Sequence, residues 1–255
     1  MVAFDVETTG VDVEADRIVT ASTVGVRCGT DPVHRDWLAD PGIEIPVEAS
    51  DIHGITTEHA RAHGKPAGDV VAEICGHLTQ VWSQGYPVVI YNAPFDLTVL
   101  HREALRYGVP FEAAGPVVCP MLIDRHFDRY RPGSRKLVDV CRHYGVPLAE
   151  DDAHTSSADA LATVRLMWKL ARTTPAGSMT LDELQEAQQG WHRESQLSFA
   201  AYLDGKTAHR VLDDAVMLSG AARAAKLADL AGLLDRADRV RAEAEWWPLR
   251  PVVTR

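Results

Sequence analysis

The pattern of apolar and polar positions divides the chain into a first part that predicts strands and helices together and a later part that predicts helices alone. Alternating apolar and acidic residues, or short runs of branched apolar residues, predict five strands, at residues 2–7, 17–26, 34–38, 88–91 and 117–119. Apolar residues at helical spacing predict four helices, at residues 69–82, 97–107, 137–144 and 158–172. Three strands followed by alternating helices and strands predict an α/β fold with a mixed five-stranded sheet flanked by helices.

The composition changes after residue 172. Residues 173–179 contain the Thr, Pro, Gly and Ser that are typical of a linker. Thr180 and Glu183 have the spacing of a capping box, so a helix is expected to begin there. We therefore expect a first domain at 1–172, a linker at 173–179 and an all-α C-terminal extension at 180–255.

Composition narrows the class of protein without identifying a function. Of the 255 residues, 46% are hydrophobic and 24% are charged, which is typical of a soluble globular protein. No apolar run approaches the roughly 20 residues of a membrane span, and the N-terminus lacks a signal-peptide pattern. The four cysteines form no C-x-x-C pair, which favours reduced thiols. We expect a cytoplasmic protein without a membrane partner.

The formal net charge of −10 neither identifies nor excludes a nucleic-acid partner. Phosphate binding favours basic surfaces, but carboxylates that hold divalent cations reverse the field around them.

Three groups of residues are candidates for chemistry. Asp5 and Glu7 lie two apart on a predicted strand, so their carboxylates point to the same face. Asp96 follows a predicted strand and lies in the first turn of a predicted helix. His154 precedes a further helix, near whose start Asp159 lies. Each group alone is equally explained by a solvated surface or a helix-dipole role.

Taken in order, these groups resemble the motifs of the DEDD exonuclease superfamily, in the branch with a catalytic histidine that includes the proofreading epsilon subunit of bacterial DNA polymerase III. Residues 4–10 (FDVETTG) resemble its first motif and residues 92–96 (NAPFD) its second. A histidine five residues before an aspartate, at 154 and 159, matches the third. Thr155 and Ser156 stand where the family often has Arg-Ala, which removes a positive charge. The resemblance covers about residues 1–172.

The resemblance implies a ribonuclease-H-like fold and two divalent metal ions, Mg²⁺ or Mn²⁺. It implies that Asp5 bridges both ions, that Glu7 and Asp159 bind the ion nearer the attacking water, and that Asp96 holds the other. His154 would be the general base, since an imidazole titrates near neutral pH. Two such ions can activate a water and stabilise a leaving 3′-oxygen, and hard carboxylate oxygens suit them.

Further residues are expected to hold the 3′ end of a single-stranded DNA or RNA. The first and second motifs and the segment at 52–55 supply most of them, and a basic stretch at 125–136 supplies the rest. The candidates are Thr8, Thr9, Gly10, His53, Ile55, Asn92, Phe95, Arg129 and Arg135. An ordinary turn, a core aromatic and a solvated basic face are the alternatives.

The sequence therefore predicts a 3′–5′ exonuclease that releases nucleoside 5′-monophosphates, with DNA slightly favoured through the resemblance to proofreading subunits. A 3′–5′ exoribonuclease that trims RNA ends or short oligoribonucleotides is the first alternative. A non-catalytic replisome adaptor is the alternative from another class. A DNA polymerase is a candidate partner, and Gln196 to Phe199 weakly resembles a peptide that docks on a sliding clamp.

Overall fold

A six-stranded mixed sheet forms the centre of the fold. The computed structural model describes residues 1–148 and 154–249. The strands are β1 (Val2–Thr8), β2 (Ile18–Gly25), β3 (Val33–Asp40), β4 (Lys65–Pro66), β5 (Val88–Val89) and β6 (Val117–Val118). Their order across the sheet is β4-β3-β2-β1-β5-β6. β1, β2 and β3 pair antiparallel, whereas β5 pairs parallel to β1 and β6 parallel to β5.

The expectation of five strands was wrong by one. All five predicted strands are present, and the additional strand is the two-residue β4, which pairs with the end of β3. Lys65 and Pro66 carry no apolar alternation, and proline cannot donate to a sheet ladder, which confines it to an edge. No pattern in the sequence therefore distinguishes β4 from a loop.

Helices lie between the strands and after them along the described residues. They are α1 (Val47–His53), α2 (Thr57–His63), α3 (Ala67–Ser83), α4 (Ala93–Tyr107), α5 (Pro120–Phe127), α6 (Leu137–Tyr144), α7 (Ser156–Thr173), α8 (Leu181–Tyr202), α9 (Ala208–Val216) and α10 (Gly220–Glu243). A 3₁₀ turn at Pro175–Ser178 and a π-helical turn at Leu203–Thr207 connect some of them. The four helices predicted from apolar spacing correspond to α3, α4, α6 and α7, and α7 packs across β1 and β2.

Three short helices, α1, α2 and α5, escaped prediction. α1 and α2 lie between the predicted strand at 34–38 and the predicted helix at 69–82, where no element was predicted, and each has only seven residues. The Thr56 hydroxyl accepts from the main-chain N–H of His59 at 3.2 Å and caps α2. Both helices contribute a buried alanine to a small cluster with Val19 and Ile45. Helices this short depend on such packing rather than on their own propensity.

The chain divides into two compact units, Met1–Glu186 and Ala187–Arg255. The helix expected after Thr180 is confirmed: the Thr180 hydroxyl accepts from the main-chain N–H of Glu183 at 3.2 Å, and the Glu183 carboxylate accepts from the main-chain N–H of Thr180 at 2.8 Å. The predicted linker at residues 173–179, between domains at 1–172 and 180–255, stays a prediction. Among residues 1–148 and 154–249, no helix is both long enough and apolar enough to cross a bilayer.

Candidate active site

Asp5 and Glu7 lie on the central strand of the sheet. β1 is flanked by β2 and β5, so both carboxylates project from the middle of the sheet and from one face of it. The pairing of β1 with β2 becomes irregular between Glu7 and Thr8. The pair therefore lies where the strand gives way to a loop, in a position that a ligand can approach.

Asp96 reaches the same strand from α4. A left-handed residue, Asn92, turns the chain from the β5 segment into that helix, and Asp96 follows in the first helical turn. The Asp96 Oδ1 atom accepts a hydrogen bond of 3.2 Å from the main-chain N–H of Val6, the residue between Asp5 and Glu7. Asp96 is 4% exposed. The second predicted motif is thus fixed beside the first.

Asp159 joins this group from the first turn of α7. Carboxylate oxygens of Asp5, Glu7 and Asp159 all lie within 4.8 Å of one another. The main-chain N–H of His154, which has a positive φ of 72°, donates to Asp159 Oδ2 at 3.3 Å. His154 itself is exposed. All five residues that the three motifs single out are therefore neighbours.

The electrostatics of the cluster are unfavourable without a cation. Burial and then repulsion from Asp159 and Asp96 raise the pKa of Glu7 to about 8. Burial also raises the pKa of Asp96 to about 8, against hydrogen bonds from main-chain N–H groups. The pKa of Asp5 is raised well above its usual range by burial and by the three neighbouring carboxylates. Burial raises the pKa of Asp159, while the His154 main chain and imidazole lower it.

The donor set fits hard divalent cations. Several carboxylates that cannot ionise together in isolation become stable anions once a cation lies between them. Asp159 Oδ1 is buried, and no residue within 1–148 or 154–249 gives it a hydrogen bond. An oxygen of this kind is free to act as a ligand, and oxygen ligands suit Mg²⁺ or Mn²⁺ better than softer metals.

The raised pKa values predict how the cation-free protein responds to pH. A carboxyl group of the unfolded chain titrates near 4, whereas Glu7 and Asp96 in the folded chain titrate at about 8. The folded state therefore binds more protons between these values, and its stability is lost as pH rises toward 8. In EDTA, the melting temperature of the wild type is expected to fall more steeply between pH 5 and 8.5 than that of Glu7→Gln. Parallel melting profiles would contradict the account.

Hydrogen bonds within the loop after the first motif hold its two threonines in place. The Thr9 hydroxyl donates to Asp16 Oδ1 at 2.8 Å and accepts from the main-chain N–H of Arg17 at 3.0 Å. The Thr8 hydroxyl donates to the Gly10 carbonyl at 2.5 Å. A Cβ atom on Gly10 would lie 2.5 Å from Asp16 Oδ2. Asp16 therefore explains the glycine and the second threonine, and substrate contact by this loop stays a prediction.

Asp16 is a site residue that the sequence analysis missed. Its Oδ2 atom also accepts from the main-chain N–H of Asp12 at 2.8 Å, which closes the loop on itself. Asp12 in turn accepts from the main-chain N–H of Glu14, two residues on, at 3.0 Å, and an aspartate in a loop is a signal for such a turn.

The remaining candidates for substrate contact in these segments are His53, Ile55, Asn92 and Phe95. His53 is buried beside the main chain of Thr8, and burial lowers its pKa. Its Nδ1 atom accepts from the main-chain N–H of Ile55 at 3.2 Å. Ile55 is partly buried against the cluster around Val19 and Ile45. Their roles toward a substrate, and those of the exposed Asn92 and the partly buried Phe95, stay predictions.

Two arginines of the basic stretch, Arg131 and Arg135, form ion pairs within the protein. Asp124 is fully buried, and its carboxylate accepts from Arg131 at 2.7 and 2.8 Å and from Arg135 at 2.5 Å. Arg135 donates further to the Asp128 carbonyl at 2.6 Å. The contacts of Arg135 within the protein give no support to phosphate binding by its guanidinium, which stays a prediction. Arg129 is exposed and lies over the ring of Tyr130, and its contact with phosphate stays a prediction.

The ion pairs of Asp124 with Arg131 and Arg135 predict that replacing Asp124 lowers the stability of the fold. Asp124→Asn would leave the largely buried guanidinium of Arg135 without its counter-charge and would remove one of the two carboxylates that pair with Arg131, the other being that of Asp128. Breaking such a buried pair costs about 3 kcal/mol. The free energy of unfolding, measured by urea denaturation, is expected to fall by that amount. Arg125→Ala, an exposed change in the same stretch, is the control and is expected to stay within about 0.5 kcal/mol. If Asp124→Asn and Arg125→Ala lower the free energy of unfolding equally, the structural role of Asp124 is wrong.

Comparison with known proteins points to one family. Residues 2–167 match the exonuclease family RNase_T. A DNA polymerase III subunit epsilon-like protein of Rhodobacter capsulatus is 31% identical over 182 residues, which cover 70% of this chain and 25% of that protein. The chain thus spans about a quarter of that relative's length.

Two solved structures share the fold. In exonuclease I of E. coli, solved with single-stranded DNA, the match covers 68% of this chain and 40% of that one, with a TM-score of 0.58 and 22% identity. In exonuclease X, solved with 5′-overhanging duplex DNA, it covers 73% of this chain and 98% of that one, with a TM-score of 0.53 and 20% identity. The mixed sheet flanked by helices is therefore ribonuclease-H-like.

Proposed function

The chain belongs to the exonuclease family, in its DnaQ-like group, and from that premise we propose that it removes nucleotides one at a time from the 3′ end of single-stranded DNA. The observation that carries the proposal is the convergence of Asp5, Glu7 and Asp159 within 4.8 Å, with Asp96 bonded to the same strand. A replisome adaptor without activity has no need of such an unfavourable cluster.

We propose that the four carboxylates hold two divalent cations, Mg²⁺ or Mn²⁺. When bound, such ions supply an activated water and neutralise charge on the phosphate and the leaving oxygen. The pKa of Asp5 is raised by all three of the other carboxylates, so Asp5 would be suited to serve as a ligand to both ions. Glu7 and Asp159 would complete one set of ligands, and Asp96 the other.

His154 would act as the general base. It precedes the N-cap of α7, and its main-chain N–H already holds Asp159. An exposed imidazole can take the proton of an attacking water and pass it to solvent.

The preference for DNA rests on similarity alone. Exonuclease I and exonuclease X, the two structures compared above, were solved with DNA, and the Rhodobacter capsulatus relative is named for a polymerase subunit. The proposal includes a polymerase as a partner on that ground. Docking of Gln196 to Phe199, which lie within α8, on a sliding clamp stays a prediction.

The test uses single-stranded DNA and RNA of one sequence, each labelled at the 5′ end. With Mg²⁺ or Mn²⁺, a ladder of shortening labelled products is expected from DNA, and EDTA is expected to abolish it. A labelled mononucleotide as the first product would mean attack from the 5′ end. A faster ladder from RNA would transfer the proposal to the exoribonuclease, and no shortening of either substrate would contradict it.

A further inference from the structure

A chain of hydrogen bonds leads from the first turn of α7 across the sheet. Ser156 Oγ lies 2.8 Å from Ser22 Oγ on β2, and Ser22 Oγ donates to Asp36 Oδ1 on β3 at 2.6 Å. A carboxylate only accepts, and a serine hydroxyl has one proton. Because Ser22 gives its proton to Asp36, Ser156 must be the donor to Ser22.

The next residue of α7 is attached as well. Ser157 Oγ lies 3.0 Å from the Nδ1 atom of His34, which belongs to β3. Two consecutive residues at the start of α7 are therefore each bonded to the strands below. Thr155, the N-cap, accepts from the main-chain N–H of Ala158 at 3.4 Å and so fixes where the helix begins.

The sheet register brings this chain of bonds beside the acidic cluster. Asp5 pairs with Ser22, and Ser22 pairs with Asp36. Residues directly opposite each other on neighbouring strands project to the same face, so the three side chains form one row. Ser22 is 1% exposed and Ser156 is 6% exposed. Water therefore cannot readily replace a lost partner.

The position of α7 matters because it carries Asp159. Ser156 and Asp159 are three residues apart and thus share a helix face, which lies against the sheet. The carboxylate of Asp159 is held near those of Asp5 and Glu7 although like charges repel. Without attachment, this repulsion would move the start of α7 away from the sheet and would separate the ligands.

We propose that Ser22, Ser156 and Asp36 are positioning residues that hold the first turn of α7 on the sheet and so keep Asp159 in place for a divalent cation. The inference rests on the proposed function, since it concerns the same site. It adds a set of residues that touch neither the cation nor the substrate and that act through α7.

The test measures binding of Mn²⁺ alone, by calorimetry, to the wild type and to Ser22→Ala. Loss of one buried hydroxyl is expected to weaken Mn²⁺ binding about fivefold, in line with the worth of a single hydrogen bond. Thr23→Val is the matched control. Thr23 is the next residue on β2, is 2% exposed, and bonds His77 at 3.1 Å on the opposite face. Loss of the Thr23 hydroxyl is expected to lower the melting temperature and to leave the affinity for Mn²⁺ unchanged.

A second variant and a kinetic measurement complete the test. Asp36 is exposed, so Asp36→Ala is expected to fold and to weaken Mn²⁺ binding as Ser22→Ala does. Asp36→Asn keeps an acceptor oxygen and is expected to restore the affinity. Saturating Mn²⁺ is expected to return kcat of Ser22→Ala to the wild-type value.

The outcomes separate this inference from the proposed function. If the wild type binds Mn²⁺ and both Ser22→Ala and Asp36→Ala bind it equally well, the positioning role is wrong and the proposed function stands. Equal weakening by Thr23→Val would also overturn the positioning role. A wild type that binds no divalent cation would overturn both.

Discussion

Replacing Asp5 by asparagine is expected to reduce the exonuclease rate by about a thousandfold, or roughly 4 kcal/mol of transition-state stabilisation, and yet to raise the melting temperature of the cation-free protein. Asp5 faces three other carboxylates, and its pKa is raised by burial and by all of them. At neutral pH the unfolded chain ionises this carboxyl group without cost, whereas burial and the neighbouring carboxylates oppose its ionisation in the folded chain. The group therefore lowers the stability of the folded state. Asparagine keeps the shape of the side chain and removes that cost.

The two effects of Asp5→Asn have opposite signs only if the cluster is a cation site. Addition of Mg²⁺ is expected to raise the melting temperature of the wild type, because a ligand that binds the folded state stabilises it, and to have little effect on the variant. Glu112→Gln, which removes one exposed negative charge, is the control for net charge and is expected to change neither rate nor melting temperature. A cation-free Asp5→Asn protein that melts below the wild type would contradict the repulsion argument.

Replacing His154 by alanine is expected to lower the rate by about 10²- to 10⁴-fold, the usual worth of a general base. The carboxylates remain in place, so the Mg²⁺-induced rise in melting temperature is expected to stay. The main-chain N–H that holds Asp159 at 3.3 Å also remains in the variant. A large loss of rate with intact cation binding would distinguish proton transfer from a ligand role.

The pH profile of the rate provides a second readout for His154. In the wild type, the rate is expected to rise with pH as the general base loses its proton, and this limb is expected to be absent in His154→Ala. His59→Ala, an exposed histidine on α2, is the control and is expected to keep the full profile. Wild-type rates in His154→Ala would show that another group takes the proton.

The sequence predicts the acidic cluster because each of its members lies on a strongly patterned element. The alternation around Asp5 and Glu7 places them on one face of a strand, and that strand is β1. Asp96 and Asp159 were expected in the first turns of helices, and both are found there. Parallel pairing of β1 with β5 then brings the separate motifs to one region of the sheet.

What the sequence does not predict depends on partners that are distant or buried. Ser22 and Ser156 are 134 positions apart, and neither serine has an unusual neighbourhood in the sequence. Arg135 lies in the densest basic stretch of the sequence, and nothing in that stretch indicates that its guanidinium donates to the carboxylate of Asp124, which is buried in α5. These contacts depend on which side chains are buried together in the fold, and a local pattern of residues does not predict that.

The most direct test of the account is the position of Mn²⁺ in crystals of the wild-type protein, located by anomalous scattering. The account predicts Mn²⁺ between the carboxylates of Asp5, Glu7, Asp96 and Asp159, within bonding distance of Asp159 Oδ1. Crystals at saturating Mn²⁺ that show no ion among these four side chains would contradict it.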